Sequence, residues 1–219
     1  MPLYRSITID EGTRLLIWKN TESVDEFLQH VKLKDTCMSR LQGMRSEQHR
    51  KGFLGVRMLM QELGYTDFDL FYDADGKPHL VDGMNISITH SYAFSAIMVS
   101  NTDIGIDMEL QREKIITIAD KFLEPEFTYL DPTHLTDYMQ KLIVMWGVKE
   151  AVYKMISRSG LSFKQNIYVF PFDMEEKQGM VSVKFEEINE SYPFFFEEIE
   201  NFTLVYCLGH KTLLKPTLK

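Results

Sequence analysis

Apolar residues recur along this chain in two rhythms, alternate positions in some stretches and helical spacing in others. Leu15-Leu16-Ile17-Trp18, after the Asp10-Glu11-Gly12 turn, reads as a strand. From Thr21 to Lys34, Val24, Phe27, Leu28 and Val31 fall at helical spacing behind a cap at Thr21 or Ser23. Ser46 opens a longer predicted helix that runs to about Leu63 and stops at Gly64. Its face of Phe53, Leu54, Val56, Leu59, Met60 and Leu63 is broad, and Arg50, Lys51 and Arg57 decorate it. Phe68 to Tyr72 reads as a strand, and Asp75-Gly76-Lys77-Pro78 as a turn.

Asn85 to Ser91 and Tyr92 to Val99 predict two strands joined at a polar corner. After the Asn101-Thr102-Asp103 turn comes a third, Ile104 to Leu110. A boundary falls at about 101 to 103, giving halves 1–102 and 103–219. The second half shows a helix from about Asp137 to Ile156 and strands at 166–170, 180–185 and 202–208. Helices and strand runs in each half predict an α+β fold of two similar halves packed as a pseudo-twofold body. No low-complexity linker separates the halves, and no repeated words mark a duplication. Tyr192-Pro193-Phe194-Phe195-Phe196 is expected to be core.

Composition narrows the class. With 219 residues, 44% hydrophobic and 26% charged, the chain is sized for one large domain or two small ones. No apolar run is long enough to span a membrane, and Met1 to Ser6 lacks a signal-peptide pattern. Cys37 and Cys207 alone give neither a disulfide framework nor a zinc spacing, so a reducing cytoplasm is expected. The net charge of −8 argues against nucleic acid. It opposes any anionic ligand equally, so a phosphate-rich one must be held by local cations or a metal.

Three constellations carry candidate chemistry. In Ile104-Gly105-Ile106-Asp107-Met108-Glu109-Leu110, strand alternation puts Gly105, Asp107 and Glu109 on one face and the aliphatic residues on the other. Two carboxylates beside a glycine that leaves room suit one hard cation such as magnesium. On spacing alone, a half-exposed strand with acidic outer residues is the commoner origin of such alternation. In Trp146-Gly147-Val148-Lys149-Glu150-Ala151-Val152-Tyr153-Lys154, residues 146, 150 and 154 line one helix face. They can be a surface staircase, or Glu150 can serve as base or third metal ligand and Lys154 can stabilise a phosphoryl oxygen. Lys77 on its turn and His90 between Thr89 and Ser91 follow a basic helix and suggest an anion site.

Taken in order, Gly76-Lys77-Pro78, Ile88-Thr89-His90-Ser91, Gly105-Ile106-Asp107-Met108-Glu109 and Trp146-Gly147-Val148-Lys149-Glu150-Ala151-Val152-Tyr153-Lys154 resemble the signatures of the 4'-phosphopantetheinyl transferase superfamily. The resemblance runs from about residue 45 to Gly160-Leu161-Ser162, and the chain length resembles the long, surfactin-synthetase-activating type, a monomer of two halves. It implies transfer of the phosphopantetheine arm of coenzyme A to a serine of an acyl or peptidyl carrier protein. It also implies Asp107, Glu109 and Glu150 around a magnesium ion, with Glu150 helping to deprotonate the serine and Lys154 on the phosphates. Lys77, His90, Thr89 and Arg50 are implied contacts to coenzyme A, with Arg45 and Arg57 as alternatives to Arg50.

Two departures stand out. Thr89 replaces the family's first serine before the histidine, which keeps a hydroxyl there, and the segment from Lys154 to Gly160 is about one residue longer than the pattern. Competing readings are a non-catalytic paralogue that binds coenzyme A or a carrier, and another magnesium-dependent phosphate enzyme such as a hydrolase. Retention of Asp107, Glu109, Glu150 and Lys154 speaks against the paralogue.

Overall fold

The structure, a computed structural model, describes residues 3–209; Met1 and Pro2 of the N-terminal stretch lie outside it. Among the described residues, eleven strands and six helices make an α+β fold with two antiparallel sheets. The first sheet has the order β1 (Leu3–Asp10), β2 (Thr13–Lys19), β6 (Phe94–Ser100), β5 (Asn85–Ser91), β4 (Pro78–Leu80) and β3 (Leu70–Tyr72). The second has the order β7 (Ile104–Leu110), β11 (Phe202–Leu208), β10 (Ile188–Ile199), β9 (Gln178–Phe185) and β8 (Ile167–Val169). Residues up to 100 therefore build one sheet and residues from 104 the other. None of the described helices is long and apolar enough to cross a membrane.

Strand alternation sorts the core into layers. Leu16, Trp18, Ile97 and Val99 face α3 (Glu47–Glu62), while Leu15, Ile17, Ala96 and Met98 face the second sheet. There they meet Ile104, Ile106, Met108 and Leu204. The far side of the second sheet is covered by α5 (Leu135–Ile156), whose Ile143, Val144, Val148, Ala151 and Val152 pack on Val181, Phe194 and Val205. The order of layers is helix, sheet, sheet, helix. Because α5 is buried on most of its circumference, its sequence is apolar nearly all round.

Several elements depart from the sequence reading for local reasons. The helix expected over 21–34 is α1 (Val24–His30), closed at its start by a capping box in which Ser23 accepts from the Glu26 N–H. It stops early because the Lys34 N–H is drawn to buried Asp67 Oδ2 at 2.9 Å, and α2 (Asp35–Gly43) then begins. The strand expected from Phe68 shortens to β3, since Thr66 caps a 3-10 turn over Asp67–Asp69. The aromatic run 192–196 lies inside β10, with Tyr192, Phe194 and Phe196 in the core beside α5. Strands β1, β4 and β10 and helices α2, α4 (Lys114–Phe122) and α6 (Phe163–Asn166) have no counterpart in the sequence reading.

Candidate active site

The two sheets meet along a seam between β5 and β7. Strand β4 pairs with β5 only at His79 and Asn85, so β5 from Ile86 onward has a free edge. Ile86 and Ile88 turn toward α3, and Ser87 and Thr89 turn toward β7. There the hydroxyls satisfy main-chain groups that no strand pairs: Ser87 Oγ accepts from Ile106 N at 3.0 Å and Thr89 Oγ1 from Met108 N at 3.2 Å. Hydroxyl residues at alternate positions on β5 are thus dictated by the seam, and they fix β7 against the first sheet.

Helix α5 closes the third side, and Gly105 sets how close it comes. A Cβ at this position would lie 1.8 Å from the carbonyl oxygen of Ala151. The glycine therefore admits the helix backbone, which corrects the expectation that it leaves space for a cation. Both faces of β7 are consequently packed: residues 104 to 108 are buried, not half-exposed with an acidic outer face.

Asp107 is 4% exposed. Its Oδ1 accepts from Lys154 Nζ at 2.7 Å and from Thr89 Oγ1 at 3.3 Å, and its Oδ2 is buried with no partner. Lys154 Nζ donates also to the carbonyl of Ile106 at 3.1 Å. Glu109 is half-buried, and its Oε1 accepts from the indole Nε1 of Trp146 at 3.1 Å. Burial, and then the negative charge of Asp107, push the Glu109 pKa up to about 7. The same two causes raise the pKa of Glu150. Three carboxylates share one region with Lys154, and the charge of Asp107 disfavours ionisation of the other two.

Asp107 and Glu109 open on a cleft of about 420 Å³ lined by Lys77, Thr89, His90 and Lys154 among others. Lys77 is carried on the Asp73–Lys77 turn, and its Nζ donates to the carbonyl of Met155 at 2.9 Å, which ties the turn to the end of α5. His90 is exposed at the rim, yet part of its ring lies against α3, where a Cβ on Gly52 would come within 2.9 Å of it. That local dehydration, followed by the charges of His49 and Lys154, lowers the His90 pKa.

Of the residues singled out from sequence, Lys77, Thr89, His90, Asp107, Glu109 and Lys154 line one cleft. Glu150 stands one helical turn before Lys154 on α5 and is coupled electrostatically to Asp107. Thr89 has its hydroxyl engaged by Met108 and Asp107. Arg50 lies on α3 outside that lining, with a buried Nε that has no partner. Arg45 is exposed. Arg57 is 3% exposed, pairs with Asp67 at 3.0 Å and lies over the Phe53 ring, so its guanidinium is used inside the first half. Sequence reasoning gave no site role to Ser87, Tyr153 or the Trp146 indole. Tyr153 lines the cleft as well.

The donor set suits a hard cation. Its candidate ligands are all carboxylates, one oxygen is buried and orphaned, and mutual repulsion leaves the group short of positive charge. Among the described residues, however, no three His, Cys, Asp or Glu side chains are already gathered about one point. A cation would complete the cluster.

The site is thus a cleft at the junction of two antiparallel sheets, with carboxylates facing a lysine. Residues 103–207 match the family model of the 4'-phosphopantetheinyl transferase superfamily. It is 29% identical over 144 residues to the 4'-phosphopantetheinyl transferase of Bacillus subtilis, a match that covers 62% of this chain and 60% of that protein. It is 27% identical over 141 residues to 4'-phosphopantetheinyl transferase gsp of Aneurinibacillus migulanus, covering 63% of this chain and 55% of the relative. The chain thus spans less than two thirds of the length of either relative.

Proposed function

We propose that the protein transfers the 4'-phosphopantetheine group of coenzyme A to a serine of an apo acyl or peptidyl carrier protein, releasing 3',5'-adenosine bisphosphate. In this reading it is a monomer of the long type and acts in the cytoplasm. The observation that carries the proposal is the convergence of Asp107, Glu109 and Lys154, with Glu150 alongside, on a cleft whose rim holds Lys77 and His90. The superfamily match and the names of the two relatives support it.

Coenzyme A would lie along the cleft, with Lys77 and His90 on its anionic groups, Arg50 contributing from α3, and Thr89 acting through the Asp107 carboxylate it bonds. Magnesium held by Asp107, Glu109 and Glu150 would supply charge neutralisation for the pyrophosphate. The serine oxygen attacks the phosphorus that bears the pantetheine arm, and the bond from that phosphorus to the bridging oxygen of the pyrophosphate breaks. Glu150 takes the serine proton, directly or through one water, and its raised pKa makes it a stronger base than an ordinary glutamate. Lys154 meets the charge left on the departing nucleotide. Little covalent chemistry falls to the protein in such a reaction; positioning and electrostatics supply the rate.

Intact mass of an apo carrier protein, incubated with the enzyme, coenzyme A and magnesium, tests this directly. A gain of the phosphopantetheine mass that disappears with EDTA is expected. Coenzyme A binding without mass gain on acyl and peptidyl carriers alike would refute transfer and favour a non-catalytic relative.

A further inference from the structure

Lys149 precedes Glu150 in the sequence but points away from the cleft. It is 0% exposed, as is its partner Glu126. Its ammonium donates to the carbonyls of Phe122 at 2.8 Å, Phe163 at 2.9 Å and Ile167 at 2.6 Å, and lies 2.7 Å from Glu126 Oε1. Glu126 is saturated in turn: Oε1 accepts from Val169 N at 3.2 Å and Oε2 from Glu124 N at 3.3 Å. One side chain thereby joins the end of α4, the turn after it, α6 and β8 to the middle of α5. An ion pair buried this deeply is weak evidence of stabilisation for its own sake, because desolvation offsets much of the attraction. What it does enforce is position.

That position reaches the cleft through aromatic rings. Phe122 and Phe163, two of the three residues whose carbonyls Lys149 holds, pack their rings on Trp146 with centroids 5.1 and 5.6 Å away. The Phe163 ring is also 5.6 Å from Tyr153, in the cleft wall. Trp146 donates its indole N–H to Glu109 Oε1 at 3.1 Å. We propose that Lys149 is a positioning residue: by fixing the main chain at Phe122 and Phe163 it wedges Trp146 where the indole N–H orients the Glu109 carboxylate, and it touches no substrate. The kinetic consequence rests on the transfer reading above; the structural consequence does not.

The chain has two tryptophans, so a sample labelled with [15N]tryptophan gives two indole signals, assigned with Trp18→Phe. Trp18 lies in the first sheet and serves as the internal control. The double variant Lys149→Met/Glu126→Gln removes the clamp without leaving a buried charge. Phe163→Leu keeps the ion pair and removes one ring of the wedge. Glu109→Gln marks where the Trp146 signal moves when its acceptor changes. In both clamp variants the Trp146 signal is expected to shift or broaden while Trp18 stays. Transfer is expected to fall in kcat by roughly tenfold or more, with KM for coenzyme A within about threefold. Folded variants that keep the wild-type Trp146 signal would overturn the proposal, and so would a displaced signal with unchanged kcat. Should the double variant fail to fold, Phe163→Leu decides by the same two readouts. If the wild-type protein modifies no carrier, the transfer reading falls. The indole signals alone then decide whether Lys149 holds the Trp146–Glu109 contact.

Discussion

Replacing Gly105 with alanine adds one methyl group at the point where α5 lies on β7. The new Cβ would sit 1.8 Å from the Ala151 carbonyl oxygen and 2.6 Å from its carbonyl carbon. A flexible side chain could swing aside; a main-chain carbonyl inside a 22-residue helix cannot. Helix and strand must separate by more than about 1 Å, and overpacking of this kind costs ~1–3 kcal/mol, with the rigid case at or above the upper end. At about 3 kcal/mol, a chain of this size loses roughly 6–12 °C of melting temperature. The same retreat draws Lys154 off the Asp107 carboxylate, now 2.7 Å away, and moves Glu150 with it. A misplacement of about 1 Å at reacting groups can lower turnover by ~100-fold.

Circular dichroism melts and carrier-modification rates, measured side by side, check both halves of this estimate. Gly43→Ala is a suitable control, because a Cβ there meets nothing within 4 Å. It should leave the melting temperature unchanged or raise it slightly, by at most about 1 kcal/mol of helix propensity. A Gly105→Ala protein that melts with the wild type would refute the close approach of α5 and β7. One that melts low but turns over normally would separate the packing from the catalytic geometry.

Asp107→Ala should keep its fold and lose carrier modification by at least about 100-fold, as expected when a preorganised charge is removed; intact-mass time courses report it, and full activity would sink the metal assignment. Arg57→Ala should cost ~3–5 kcal/mol in a urea melt, because it strands buried Asp67, while leaving KM for coenzyme A unchanged in the folded protein. Arg50→Ala should do the reverse, with a wild-type melt and a KM for coenzyme A raised about tenfold, as for one charged hydrogen bond of roughly 1.5 kcal/mol or more. Magnesium at about 100 times its dissociation constant should add ~2.7 kcal/mol of stability to the wild type and none to Asp107→Ala; equal thermal shifts in both would place the ion elsewhere.

What could be read in advance follows from where the information is stored. Strand β7, the long helices and the residues lining the cleft were legible because their signals are local: alternation in 104–110, helical spacing in 137–156, and motif residues a few positions apart. Some missed elements carried equally local signals. In α4, Ile115, Ile118, Ala119 and Phe122 fall at helical spacing, and Ile115, Ala119 and Phe122 are its buried residues. In β1, the alternation of half-buried Leu3, Arg5, Ile7 and Ile9 with exposed neighbours is broken for hydrophobicity by Arg5, whose guanidinium reaches across to Glu197. A charged residue on the inner face hid the period of two.

The remainder was illegible because it depends on distant partners. Gly105 between two aliphatic residues in a strand does not announce whether the vacant side is for a cation or a helix; only the approach of Ala151 decides it. Ser87 and Thr89 read as polar strand residues until β7 supplies the unpaired N–H groups that need them. Arg50 and Arg57 are two turns of one helix apart and chemically alike, and their separation into an unpaired guanidinium and a structural ion pair is made by Asp67 in a later turn. Lys149 and Lys154 share α5 in the same way: one meets a carboxylate at the cleft, the other a carboxylate in the core. In each pair the side chain specifies what it can bind, and the tertiary fold alone determines whether that partner is ligand or protein.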